Sequence, residues 1–90
     1  MLKEIYHPNA YLETVKNVRL GLRARTKILN VMKGFSGDAK AIAKESGMHY
    51  NVVLYHLKLL EREKIVQRKG SRPYLWSLTG LGQKRLVDAD

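Results

Sequence analysis

No cysteine occurs in this 90-residue chain, and that absence removes disulfides, thiolate metal sites, redox motifs and cysteine nucleophiles together. Thiol-based sensing is excluded. Acidic residues are scarce, 8 Asp plus Glu against 17 Lys plus Arg. Long apolar runs are missing too: nothing approaches the roughly 20 residues that span a bilayer. The N-terminus MLKEIYHPNA lacks the uninterrupted apolar stretch of a secretory signal. The expectation is a soluble cytoplasmic protein with no membrane partner. The length suits one small domain over residues 1–90 and makes a multidomain enzyme untenable. A core of this size is modest, so a dimer partner can supply missing apolar burial.

What is abundant is positive charge, a formal +9 at pH 7. A basic domain attracts polyanions, which ranks nucleic acid first among partners, ahead of anionic membrane surfaces and acidic proteins. The charge is uneven. Residues 1–37 hold Lys3, Lys16, Arg19, Arg23, Arg25, Lys27 and Lys33 against Glu4 and Glu13, residues 38–64 are nearly balanced, and the remainder is basic again until Asp88 and Asp90.

There is no internal repeat, low-complexity tract or interdomain linker. Pro8-Asn9 can open a helix, and Tyr11, Val15, Val18 and Leu22 then recur at spacings of four, three and four, predicting an amphipathic helix over 10–22. Gly21 can end or kink it before a second helix from about Arg23 to Lys33. Ser36 or Asp38 can cap a short third helix that stops at Gly47. A fourth helix follows from His49 to about Lys64. At about 100° per residue, Tyr50, Val53, His56, Leu57, Leu60 and Lys64 fall on its buried side, with Asn51, Tyr55, Lys58 and Arg62 opposite and Leu54 at the margin. Beyond residue 64, segments 65–69 and 74–78 flank Gly70-Ser71-Arg72-Pro73 and predict a two-stranded hairpin. Thr79 can cap a last helix over 79–87. The expected fold is mainly α with a small β-hairpin, in the order α-α-α-α-β-β-α.

The stretch from Ala41 to Val66 fits a helix-turn-helix over 38–64: small residues where a short helix crosses a long one (Ala39, Ala43), a glycine in the turn (Gly47) and an apolar plug beside it (Met48). With Ile42, Val53, His56-Leu57, Leu60-Glu61, Ile65-Val66, Trp76-Ser77-Leu78-Thr79 and Gly82, the chain resembles the winged helix-turn-helix regulators of archaea and bacteria, nearest the ArsR-like and MarR-like groups. The resemblance covers roughly residues 25–87. It implies a supporting helix over 38–46, a recognition helix over 50–64, a wing over 65–78, and sequence-specific binding of double-stranded DNA by a homodimeric transcription regulator. Two departures stand out. ArsR-like metal sensors use thiolates, so metal sensing does not carry over, and the position after the turn, commonly a small hydroxyl residue, is His49.

A recognition helix meets base edges with its early exposed residues, here Tyr50, Asn51, Leu54 and Tyr55, with Lys58 placed for a phosphate or a guanine. Asn51 suits adenine; its alternative role is to cap the helix. In the wing, Arg68, Lys69, Ser71 and Arg72 are expected on the backbone or in the minor groove, where Arg is favoured; a solvated charged turn is the alternative. Lys40 and Lys44 are candidate phosphate clamps. Tyr11, Val15, Val18 and Leu22 are candidates for a dimer seam, or else pack on their own domain.

The 3 histidines form no convincing metal or catalytic set, His56 reading as a hydrogen-bonded core residue. Gly80-Leu81-Gly82 lacks the context of a dinucleotide loop. No nucleophile is paired with a base and an orienting group, so neither enzyme activity, nor a cofactor, nor a small-molecule effector is expected. The competing functions are a nucleoid-associated architectural protein, which would bind phosphates with weak sequence preference, and a winged-helix protein adaptor.

Overall fold

The computed structural model describes residues 5–80. A 3-10 turn at Pro8–Ala10 leads through an irregular segment into helix α1 (Arg19–Met32), followed by α2 (Ala39–Ser46), α3 (Tyr50–Arg62) and strands β1 (Val66–Lys69) and β2 (Leu75–Leu78). In α1, Leu22, Arg25, Ile28, Leu29 and Met32 form the buried stripe, the spacing of one helical face. Asp38 caps α2, its carboxylate accepting the Ala41 N–H at 2.8 Å. Gly47 ends α2 at φ 69°, and the Met48 N–H reaches back to the Ala43 carbonyl at 3.0 Å. A side chain is strained at that φ, whereas glycine is not. His49 then caps α3 through Nδ1, which accepts the Asn51 N–H at 3.1 Å.

The three helices pack around Ile28, Leu29, Ile42, Val53, Leu57 and Leu60, all fully buried, and the buried Ile65 and Trp76 close the hairpin side. Ala39 and Ala43, both buried, let α2 lie close against its neighbours. The strands are antiparallel, with Val66 opposite Leu78 and Arg68 opposite Trp76. The two-residue alternation of strands turns Trp76 and Leu78 inward and leaves Leu75 exposed. Gly37, between α1 and α2, pairs with the outer edge of β2: the Trp76 N–H donates to the Gly37 carbonyl at 2.8 Å, and the Gly37 N–H donates back at 3.3 Å. The hairpin is thereby tied to the helical body.

The fold is a winged helix, with corrections to the sequence reading. The helix expected over 10–22 does not form. His7, rather than Asn9, caps the 3-10 turn, and residues 11–18 are irregular because side chains take over the backbone's hydrogen bonds. The Asn17 amide spans Leu12, accepting its N–H and donating to its carbonyl, both at 2.8 Å. The Glu63 carboxylate accepts the Glu13 and Thr14 N–H groups at 2.9 and 3.0 Å. Such local bonds compete with the helical ladder. Gly21 is neither stop nor kink: it lies inside α1, where a Cβ would come 2.9 Å from Arg25 Nη1, so it makes room for that guanidinium.

Tyr50 is 44% exposed rather than buried. Lys64 lies beyond the end of α3 at φ 63°, where the Ile65 N–H bonds to the Leu60 carbonyl at 3.0 Å and breaks the helical phase. Leu59 is buried on α3 where the helical wheel did not place it. The helix expected over 79–87 lies outside the described residues apart from Thr79 and Gly80.

Candidate nucleic-acid interface

The start of α2, one edge of α3 and the hairpin enclose an open groove of about 830 Å³, lined by Asp38, Ala39, Lys40, Tyr50, Leu54, Lys58, Arg68, Arg72, Pro73 and Tyr74. Helix periodicity explains the α3 contribution, since residues four apart share an edge, as do Tyr50, Leu54 and Lys58. The cations come from three elements: Lys40 from α2, Lys58 from α3, and Arg68 and Arg72 from the hairpin. The one acidic lining residue, Asp38, already accepts the Ala41 N–H as the α2 cap. The groove therefore presents a net positive field to whatever enters it.

Six of the residues singled out from sequence, Lys40, Tyr50, Leu54, Lys58, Arg68 and Arg72, line this one groove. Lys69 and Ser71 are exposed at the hairpin turn, and Lys44 is exposed one turn beyond Lys40, all outside the groove lining. Asn51 is exposed at the start of α3; the cap of that helix is His49, so the Asn51 side chain is not needed for it. Tyr55 points elsewhere. It lines a second groove of about 430 Å³ with Val15, Val18, Leu20, Val52 and Leu59. Arg68 lies opposite Trp76 in the strand register and turns toward Glu61: Arg68 Nε donates to Glu61 Oε2 at 3.0 Å. Sequence reasoning gave Glu61 no role in the site, although it follows Lys58 by three residues on the same edge of α3. Pro73 and Tyr74 were likewise missed because nothing in their local sequence fixes where the hairpin brings them relative to the helices.

The second groove is apolar, with Val18, Leu20, Val52 and Tyr55 exposed at 51%, 76%, 42% and 60%. Of the seam candidates, Val15 and Val18 line it, Tyr11 is exposed outside it, and Leu22 is buried in its own domain. Leu22 is thus unavailable to a partner, a consequence of its place inside α1.

Beneath this groove lies a buried polar cluster. Arg25, 2% exposed, donates from Nε to the Ala10 carbonyl at 2.6 Å and from Nη2 to Asn17 Oδ1 at 3.1 Å. Its Nη1 faces His56 Nδ1 at 3.4 Å. Burial, reinforced by the Arg25 charge, pushes the His56 imidazole down to about 4, so it is neutral at pH 7. Burial and Lys33 lower His7 in the same direction. These groups hold the N-terminal segment against α1 and α3 rather than lining the basic groove. Among the described residues no three His, Asp or Glu side chains gather to hold a metal ion, and no helix is long and apolar enough to cross a membrane.

Neither protein-family models nor curated protein sequences give a match to the chain. Solved structures do. The Zalpha domain of PKZ from Carassius auratus, solved in complex with Z-DNA, is similar with a TM-score of 0.58 and 29% identity, over 63% of this chain and 94% of that one. A MarR family transcriptional regulator from Silicibacter pomeroyi gives a TM-score of 0.66 at 20% identity, over 72% of this chain and 45% of the regulator. The homodimeric winged helix-turn-helix DNA-binding domain of a candidate ArsR-family regulator from Mycobacterium bovis gives 0.64 at 21% identity, over 78% of this chain and 66% of that fragment. The chain thus spans less than half of the MarR family protein. These neighbours are a domain bound to Z-DNA, a transcriptional regulator and a winged helix-turn-helix DNA-binding domain. With α2 and α3 joined at Gly47 and a β1–β2 wing beside them, this chain has the winged helix-turn-helix fold.

Proposed function

We propose that the chain binds double-stranded DNA as a homodimeric transcription regulator that reads sequence with α3 in the major groove. The observation that carries this reading is the convergence of Lys40, Lys58, Arg68 and Arg72 on one groove beside the exposed start of α3. A major groove accepts one helix, and the early exposed residues of that helix meet base edges. Asn51 is suited to paired hydrogen bonds with adenine, and Tyr50 and Leu54 to thymine methyl groups. Lys40 and Lys58 neutralise phosphates, and the exposed tip of Lys69, Ser71 and Arg72 lies along the backbone or enters the minor groove. Lys44 extends the phosphate contact along α2.

The dimer would use the apolar groove of Val15, Val18, Leu20, Val52 and Tyr55. A two-fold pair reads half-sites about 34–36 Å apart, and tethering two weak contacts raises their joint affinity. The reading is that of an intracellular protein working on the genome.

The test is a fluorescence-anisotropy titration with random-sequence duplex and competing genomic fragments at several salt concentrations. Steep loss of affinity with salt, with one fragment bound well above background, supports a sequence-reading regulator. Salt-sensitive binding without preference points to an architectural protein, and no binding at low salt to a protein adaptor.

A second reading is favoured by one observation: this chain covers 94% of the Z-DNA-bound Zalpha domain at 29% identity. In that reading the groove recognises the shape of a left-handed duplex rather than base sequence. Circular dichroism of an alternating dC-dG duplex separates the two, because binding to the left-handed form inverts its spectrum as protein is added.

A further inference from the structure

Glu61 places a negative charge at a groove built from cations, and its geometry gives it a use. Its Oε2 accepts from Arg68 Nε at 3.0 Å, across the junction between α3 and β1, with the two side chains 31% and 39% exposed. The same guanidinium lies over the Tyr74 ring at 4.7 Å from its centroid and 5.7 Å from that of Trp76. Trp76 is 1% exposed and Leu78 8%, so the strand beneath is fixed in the core. Arg68 is therefore held at Nε by a carboxylate and packed against two aromatic rings. Nη1 and Nη2 carry no partner among the described residues.

A free arginine side chain loses rotamer freedom when a ligand fixes it. Here that ordering is already done before a ligand arrives. The remaining donors form a planar fork, which matches two acceptors in one plane: two oxygens of a backbone phosphate, or O6 and N7 of guanine. Arg72, by contrast, is exposed at the hairpin turn and is held by no ion pair or ring contact among the described residues.

We propose that Arg68 is the pre-oriented contact that sets the register of DNA in the groove, and that Glu61 is a positioning residue that acts through Arg68 without touching the nucleic acid. This rests on the DNA-binding reading above. It assigns to an acidic side chain a favourable role in binding a polyanion, opposite in sign to its bare charge.

That difference in sign is the test. Duplex affinity is compared at fixed salt for the unaltered chain, Glu61→Gln, Arg68→Lys and the double variant, with far-UV circular dichroism verifying that each is folded. If Glu61 contributed only its charge, Glu61→Gln would bind more tightly. The proposal expects it to bind about 5-fold more weakly or worse, the scale of one well-aligned charged hydrogen bond. Arg68→Lys keeps the charge but loses the fork and the stacking, and should lose about tenfold or more. Because Glu61 acts through Arg68, the double variant should bind no worse than Arg68→Lys alone. A uniform loss across sequences identifies the phosphate as the acceptor pair, and a loss confined to preferred sequences identifies guanine. Equal or tighter binding by Glu61→Gln, or additive losses in the double variant, overturns the proposal while leaving DNA binding intact. Absence of duplex binding by the unaltered chain overturns both.

Discussion

Arg25 Nη1 and His56 Nδ1 face each other at 3.4 Å across the interface of α1 and α3. Because a guanidinium can only donate, Nδ1 must be the acceptor there, and the imidazole is neutral with its proton on Nε2. Protonating it would set two positive charges against each other in a place closed to solvent, which is why burial and Arg25 lower it to about 4.

Stability should therefore depend on pH. The unfolded histidine titrates near 6.5, above its folded value, so the unfolded chain binds the extra proton first. The contribution is fully present above about 6.5 and is lost as pH falls toward 4, by at most about 3 kcal/mol. Urea midpoints at pH 7.5 and pH 5 should differ clearly, and His56→Asn should reduce that difference. His7, lowered in the same direction, retains part of it. An unchanged pH dependence in His56→Asn would show that His56 is not the group responsible.

Glu63 clasps the N-terminal segment. Burial alone would raise its carboxyl, but the Glu13 and Thr14 N–H groups, the Thr14 hydroxyl and the Arg25 charge outweigh that and hold it below its ordinary value. A lowered carboxyl stabilises the fold above its unfolded value and loses that effect as pH falls through the folded one. Glu63→Gln should flatten the acid limb of unfolding below about pH 4.5. It should also speed protease cleavage within residues 11–18, because the amide has one acceptor oxygen where the carboxylate has two. Cleavage at an unaltered rate would remove the clasp from consideration.

Lys64 occupies the left-handed region at φ 63°, a conformation that costs a side chain about 1 kcal/mol and glycine very little. Lys64→Gly should raise the melting temperature by about 4 °C or more, the shift expected per kcal/mol in a domain of this size. A lower melting temperature in a thermal scan would mean that the lysine side chain itself packs productively.

At the interface, Arg72→Ala should weaken binding across sequences and reduce the salt slope by about one. Asn51→Ala should instead alter preference at one or two base pairs, worth about 1–3 kcal/mol each. A selection experiment on randomised duplexes reads both effects. If neither substitution changes affinity at fixed salt, this face does not contact DNA.

Leu20 is 76% exposed at the apolar groove, so Leu20→Asp should leave the fold intact. Sedimentation velocity should show a shift from dimer to monomer. A monomeric unaltered chain, or a dimeric Leu20→Asp variant, would place the two-fold contact elsewhere or remove it.

Much of this was legible in the sequence because the signals are local. Asp38 and Gly47 bracket α2 as cap and stop, and Val53, His56, Leu57 and Leu60 bury one side of α3 at the spacing the sequence displays. The hairpin follows from its two β-rich segments about Gly70. The N-terminal segment misled because Tyr11, Val15, Val18 and Leu22 mimic helical periodicity. The competing bonds come from a side chain five residues away and from Glu63, fifty residues away, which no periodicity reports.

By itself, then, the sequence determined the order of α2, α3 and the hairpin, the basic character of the chain and the outward side of α3 that carries Asn51 and Lys58. Each of these depends on residues within one or two turns of one another, or on composition. Tertiary structure alone decided that Arg68 turns to Glu61 and Tyr74, that Tyr55 faces the apolar groove, and that Arg25 replaces a helix with a buried anchor for residues 10–17. These are contacts between distant segments, and their geometry exists only once the helices have packed and fixed which edge of each faces its neighbour.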